Sequence, residues 1–328
     1  MATRWGVIGA SGVANRRAMP AINLAEGNEL QALMVRDLDR AKKLADEHHA
    51  KSYYNSIEAI LSDPDVDAVY IATPVYLHCE HVIQSAEHGK HILCEKPMAM
   101  SIEECKRMID ACKANNVQLQ ICFLLRFHPC FQEVKNIISN GEIGEIVETR
   151  VSLLKAYEIE EGKWRREPTQ SGGGVLMDMG AHGIDLISYI LGDTSEIAMM
   201  AGFHIKNWEI EETATVLMKM KNGSNAVIDV SFVVPHSETT IEVYGTKGTI
   251  IAYNGQGYQE YYLKICIDNN IREEHKPSEN LYKNLFVHYN RCLEGEDEPI
   301  AYGFAGLNNI NLINSAYKSL ATKNFIAI

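Results

Sequence analysis

The first 124 residues repeat one local pattern: a short apolar run that stops at a small, charged or proline residue, followed by a stretch of helical length. Residues 5–8, 30–35, 67–74 and 91–94 are such runs, 117–123 is a further strand candidate, and residues 38–49 and 101–115, with a segment opening at His78-Cys79-Glu80-His81, lie between them. Short runs without polar alternation are strands buried on both faces, and strands separated by helices run parallel. The pattern therefore predicts an α/β fold with a doubly wound parallel sheet. Three strand ends then carry polar or small residues that the core does not require.

The run 91–94 ends in Cys94-Glu95-Lys96-Pro97. A carboxylate and an amine at the carboxyl end of a buried parallel strand stand where open α/β sheets bind ligands, although an ion pair capping a strand is the plainer reading. After the first strand comes Gly9-Ala10-Ser11-Gly12-Val13-Ala14. Against the dinucleotide fingerprint G-x-G-x-x-G/A, Gly9 and Ala14 fit, and Ser11 stands where the second glycine is expected. Small residues here bring backbone N–H groups and a helix N-terminus close to a pyrophosphate, whereas the alternative is an ordinary strand-to-helix turn. The second strand runs out as Val35-Arg36-Asp37. With Val35 in place of the acid that binds ribose hydroxyls, Arg36 can pair with a 2′-phosphate, which favours NADP; a register two residues on makes Asp37 the acid and restores NAD.

Composition narrows the remaining classes. The chain of 328 residues is 46% hydrophobic and 23% charged, long enough for two domains with real cores. Its net charge of −12 argues against nucleic acid or an anionic membrane as partner. Met1-Ala2-Thr3-Arg4 leads straight into a strand pattern, and no apolar run approaches membrane-spanning length. The eight cysteines include no Cys-x-x-Cys pair and are expected to be free thiols of a cytoplasmic protein. His78 and His81 are followed by no second ligand cluster at zinc-site spacing, so no metal is expected.

The second half reads differently. Residues 213–220 and 226–234 alternate in polarity around Lys221-Asn222-Gly223-Ser224-Asn225, and 241–244 and 249–253 flank Gly245-Thr246-Lys247-Gly248. Both are hairpin signals. Residues 280–293 and 306–320 look helical. After Ser171-Gly172-Gly173-Gly174 a further helix places Asp178, His182, Asp185 and Tyr189 in one polar stripe, which on its own is most simply a solvated face. The acidic Glu158-Ile159-Glu160-Glu161 segment is most simply solvated too, or part of a substrate lid.

Val7-Ile8-Gly9-Ala10-Ser11-Gly12-Val13-Ala14, Asp63-Pro64-Asp65-Val66-Asp67-Ala68-Val69, Ala72-Thr73-Pro74, the segment from Gly89 to Pro97 and Arg126-Phe127-His128-Pro129 together closely resemble the Gfo/Idh/MocA oxidoreductases. Trp164-Arg165, the Gly172–Gly174 run, Asp178-Met179-Gly180-Ala181-His182 and Tyr244-Gly245-Thr246-Lys247-Gly248 extend the resemblance over nearly the whole chain. It implies a Rossmann dinucleotide-binding domain over residues 1–124. Residues 125–328 would form a substrate-binding and oligomerisation α/β domain with an open, mostly antiparallel sheet, associating as a homodimer or homotetramer. The implied cofactor contacts are Gly9, Ser11, Gly12, Val13, Arg36, Thr73, Pro74, His78, Glu95 and Lys96, and the substrate contacts are Arg126, Trp164 and Arg165.

The resemblance also places Asp178 and His182 at a substrate pocket facing Lys96. Oxidising a secondary alcohol by hydride transfer requires the hydroxyl proton to leave, and histidine titrates close enough to neutrality to take it. His182 is then the base, Lys96 polarises the substrate oxygen, and Asp178 orients the imidazole or binds a neighbouring hydroxyl. Such a pocket suits a polyhydroxylated ring, so the expected substrate is a sugar, cyclitol or sugar derivative. The alternative is a dinucleotide-binding sensor of the same fold without turnover.

Overall fold

The computed structural model describes residues 2–235, 239–254, 260–268 and 270–328. In chain order the elements are β1 (Thr3–Ile8), α1 (Met19–Leu24), β2 (Asn28–Met34), α2 (Leu38–His48), β3 (Ser52–Tyr54), α3 (Ile57–Leu61), β4 (Ala68–Ile71), α4 (His78–Glu87), β5 (His91–Cys94), α5 (Ile102–Ala114) and β6 (Leu119–Ile121). There follow α6 (Pro129–Ser139), β7 (Ile146–Leu154), α7 (Pro168–Ser171), α8 (Ala181–Leu191), β8 (Thr194–Gly202), β9 (Thr213–Met220), β10 (Asn225–Ser231), β11 (Thr239–Gly245) and β12 (Gly248–Asn254). The chain ends with β13 (Glu260–Ile267), β14 (Asn270–Pro277), α9 (Leu281–Leu293), α10 (Gly303–Thr322) and β15 (Ile326–Ala327).

Residues 1–124 and 280–308 form one compact unit, and residues 125–279 and 309–328 another. The first is built on a six-stranded sheet of order β3-β2-β1-β4-β5-β6, parallel throughout. Strand order reverses between β1 and β4, so the carboxyl ends of these strands border the crevice where such sheets take ligands. β1, β4 and β5 are almost wholly buried, the consequence of helices on both faces. Side-chain caps fix several helix starts: Asp37 accepts from the Arg40 N–H, Ser56 from Ala59 and Ser101 from Glu104.

The contiguous second domain expected over 125–328 differs from what forms. Residues 280–308 return to the first unit because α9 supplies apolar cover for its sheet. Phe286 lies 4.9 Å from the Trp5 ring and 5.8 Å from Tyr70, and Tyr289 lies 5.0 Å from Trp5. All four aromatic rings are fully buried.

The second unit is built on a nine-stranded sheet of order β14-β13-β12-β11-β7-β10-β9-β8-β15. Among the described residues only the β10–β7 pairing is parallel. Its strands alternate buried and exposed residues, as in β9, so one face is core and the other open. α8 lies on the core face, with Gly183 directly over Ile228 and Leu153. Both predicted hairpins are present as β9–β10 and β11–β12.

Candidate active site

In the first unit the candidate residues gather at the carboxyl ends of β1, β2, β4 and β5. Gly9 and Gly12 have φ of +82° and +51°, which turn the chain from β1 into a π-helical turn, Ala14–Ala18, that the sequence did not reveal. A Cβ on Gly12 would meet nothing within 4 Å, and Gly12 is exposed, so the turn presents open backbone. Ser11 and Val13 beside it are half-buried. This cradle of small residues at a helix start fits a dinucleotide pyrophosphate. Arg36 lies two residues past the end of β2 and is exposed, whereas the Asp37 carboxylate is committed to capping α2, accepting the Arg40 N–H at 3.0 Å.

Thr73, Pro74 and His78 form one braced turn. The His78 ring is buried and places Nε2 2.8 Å from the Thr73 carbonyl and Nδ1 3.0 Å from the Pro97 carbonyl. Both ring nitrogens thus meet backbone oxygens of the protein, so His78 holds the turns that precede α4 and follow β5. His81 grips the same turn, its Nδ1 3.0 Å from the Thr73 hydroxyl. The Glu95 carboxylate also points inward: Oε1 accepts from the Tyr70 hydroxyl at 2.5 Å and the Tyr282 hydroxyl at 3.0 Å, and Oε2 accepts the Lys96 N–H at 3.2 Å. Glu95 therefore locks the backbone of Lys96, whose side chain is half-buried at the sheet edge.

In the second unit Asp178 lies in a π-helical turn, Leu176–Gly180, that runs directly into α8, where His182 is the second residue. Both are half-buried. Arg165 stands 3.7 Å from the Asp178 carboxylate and stacks its guanidinium 4.3 Å from the Trp164 ring centre. Trp164, Arg165 and Asp178 are thus one cluster. Arg126 is not exposed to join it: Nε and Nη2 both reach Asp185, at 3.0 and 2.6 Å, in a buried ion pair. Burial pushes the Asp185 carboxyl up, and the Arg126 charge opposes that shift. Asp185, read from the sequence as part of a solvated stripe, is 2% exposed. The stripe is therefore not uniform: Asp178 and His182 are half-buried and Asp185 is buried.

Sequence reasoning missed Glu211, whose carboxylate accepts from the Gly174 and Leu176 N–H groups. No sequence signal reveals such a bond, because its donors are backbone amides. The eight cysteines are free thiols, and burial pushes those of Cys105, Cys112 and Cys130 up to about 12. Among the described residues no cluster of His, Cys, Asp and Glu could hold a metal, and no helix is long and apolar enough to cross a membrane.

The oxidoreductase family Gfo/Idh/MocA, with its NAD-binding Rossmann fold, matches residues 3–123, and the Gfo/Idh/MocA C-terminal domain matches residues 131–251. The chain belongs to this family. This Gfo/Idh/MocA protein is 30% identical over 323 residues to a 1,5-anhydro-D-fructose reductase of Ensifer adhaerens, covering 97% of this chain and 96% of the relative. It is 26% identical to a D-xylose 1-dehydrogenase (NADP(+)) of Haloferax volcanii, with 97% of each chain covered. The aldose-aldose oxidoreductase of Caulobacter crescentus, solved with glycerol, shares its fold at a TM-score of 0.93, with 24% identity and 100% of each chain covered. The Gfo/Idh/MocA protein is accordingly an NAD(P)-dependent oxidoreductase.

Proposed function

We propose that this oxidoreductase transfers a hydride between nicotinamide and a secondary alcohol or ketone of a sugar, cyclitol or sugar derivative. The observation that carries the reading is the cluster of Asp178, Arg165 and Trp164 one helical turn before His182, which offers charge, hydrogen bonds and an aromatic face together. The named relatives that reduce an anhydro-keto-sugar or oxidise a pentose support the substrate class.

When bound, the dinucleotide supplies or receives the hydride. Gly9, Ser11, Gly12 and Val13 would hold its pyrophosphate by backbone contact, and Arg36 would take a 2′-phosphate, which would favour NADP. The commitment of Asp37 to the α2 cap supports that preference, since the carboxylate that would bind ribose hydroxyls is already used. Lys96 donates a hydrogen bond to the reacting oxygen. In oxidation the hydroxyl proton passes to His182, and in reduction the imidazolium returns it. Asp178 orients the imidazole or takes a neighbouring hydroxyl. Thr73, Pro74, His78 and Glu95 act behind these groups by fixing the turns on which the dinucleotide and Lys96 lie.

The deciding experiment follows nicotinamide absorbance with NADPH or NADP and a panel containing 1,5-anhydro-D-fructose, D-xylose and inositols. Turnover should fall about a hundred- to ten-thousand-fold in His182→Ala, with dinucleotide affinity retained. Turnover undiminished in that variant would remove His182 from the chemistry. Arg36→Ala should raise the KM for NADP about ten- to hundredfold and leave that for NAD within twofold, the scale of one charged hydrogen bond. We also propose self-association through the open sheet face, where Met200 is 76% exposed and Leu217 42%. Light scattering that gives a monomer at micromolar concentration would contradict it.

A further inference from the structure

Three consecutive amides converge on one acidic residue. Gly174 N–H donates to Glu211 Oε2 at 2.9 Å, Val175 N–H to the Glu211 carbonyl at 3.0 Å, and Leu176 N–H to Glu211 Oε1 at 2.9 Å. Tyr317, on α10, donates its hydroxyl to Oε1 at 2.7 Å. Glu211 is 3% exposed. These amides lie immediately before and within the turn Leu176–Gly180, where a helical run leaves its donors without internal partners. One residue some 35 positions away in sequence satisfies them, two through its carboxylate and one through its carbonyl.

The glycine run gains its reason from the same contact. A Cβ on Gly174 would lie 2.2 Å from the Glu211 carbonyl oxygen, and one on Gly173 would lie 2.0 Å from the Tyr317 hydroxyl. Glycine stands here because Glu211 and Tyr317 approach the backbone, so no ligand is needed to explain it. The first residue gripped is four before Asp178 and eight before His182, and Asp178 N–H donates to the Gly174 carbonyl at 3.1 Å. Where the helical run begins fixes which way its first two turns face.

We propose that Glu211, assisted by Tyr317, is a positioning residue that sets the register and orientation of Asp178 and His182. The proposal rests on the functional reading above for its effect on turnover, but its structural content stands apart from it. In Glu211→Gln one carboxylate oxygen becomes an amino group that must face a backbone or tyrosine donor, so at least one of the three side-chain bonds is lost while shape is kept. Glu211→Ala removes all three.

The test begins with the His182 ring-proton resonances, recorded by NMR in the ligand-free protein. They should move in Glu211→Gln and move further in Glu211→Ala. With 1,5-anhydro-D-fructose and NADPH, kcat should fall about ten- to hundredfold in Glu211→Gln, as expected for a small misplacement of reacting groups, while the Kd for NADPH stays within twofold. Glu211→Gln should recover part of the activity lost in Glu211→Ala, a graded response that simple loss of stability would not give at a temperature where both remain folded. Unmoved His182 resonances in folded Glu211→Gln would overturn the proposal whatever the activity. If that variant does not fold, Tyr317→Phe, which removes one hydroxyl, carries the same measurement with the same two outcomes. Turnover retained in His182→Ala would instead refute the functional reading and leave the resonance test standing.

Discussion

His128 caps α6 with a nitrogen that must stay unprotonated. Its Nδ1 accepts the Cys130 N–H at 3.2 Å, the ring is fully buried against Phe131 and Tyr261, and burial pulls its pKa down to about 4. His81, in the first unit, is likewise pulled to about 4 by burial and by His78 beside it. An unfolded histidine titrates near 6.5. Between pH 6.5 and 4 the unfolded chain therefore binds protons that the native state does not, so stability is complete above about 6.5 and is lost as pH falls. Each ring contributes up to about 3 kcal/mol of this loss. Urea midpoints should decline from pH 7 to 4.5, and His128→Asn, which keeps a capping side chain, should flatten the decline; an unchanged slope would acquit His128. At this scale the sequence named residues without their partners. Arg126 was read as a substrate contact and not as the partner of Asp185, 59 residues away, because local spacing carries no record of a long-range pair.

Elements were most legible where one apolar run and its stop signal decide the boundary. β5 spans the four residues read from the sequence, since Glu95 and Lys96 cannot continue a strand buried on both faces. The hairpin strands were legible by their alternation. β14 was not: half of its residues are charged and most are exposed, and it is an edge strand that pairs with β13 through its backbone, the Lys264–Glu273 ion pair at 2.7 Å and the Tyr262–His275 ring contact at 4.8 Å. The π-helical turns at Ala14–Ala18 and Leu176–Gly180 were equally hidden, because the residue types in them are ordinary helix formers and glycines. The second turn yields a prediction of its own. Gly174→Ala drives a Cβ against the Glu211 backbone, which cannot rotate away as a side chain would. It should cost about 3 kcal/mol, the upper range for overpacking, read as a shift of the denaturation midpoint. A shift below about 1 kcal/mol would mean that the loop relaxes freely.

At the level of the whole molecule, the fold class and the order of its two sheets followed from the sequence, but the partition of the chain did not. Helical periodicity identifies α9 without saying which sheet it will cover, and the contacts of Phe286 and Tyr289 with Trp5 and of Tyr282 with Glu95 assign it to the first. Phe286→Ala should destabilise the first unit by about 3–5 kcal/mol, the range for emptying a buried aromatic site. Guanidinium unfolding followed by Trp5 fluorescence, with Trp164→Phe and Trp208→Phe in the background, reads that loss, and one below about 1 kcal/mol would detach α9 from this core. The split ownership of the chain also imposes an order on synthesis. The six parallel strands leave the ribosome first, yet the helix that covers Trp5 and Tyr70 follows only after residues 125–279 have been made. At about 5–20 residues per second, that interval is roughly ten to thirty seconds. During it Trp5 and Tyr70 lack the apolar cover that residues 280–308 later supply, so the nucleotide-binding sheet is made well before its core is closed.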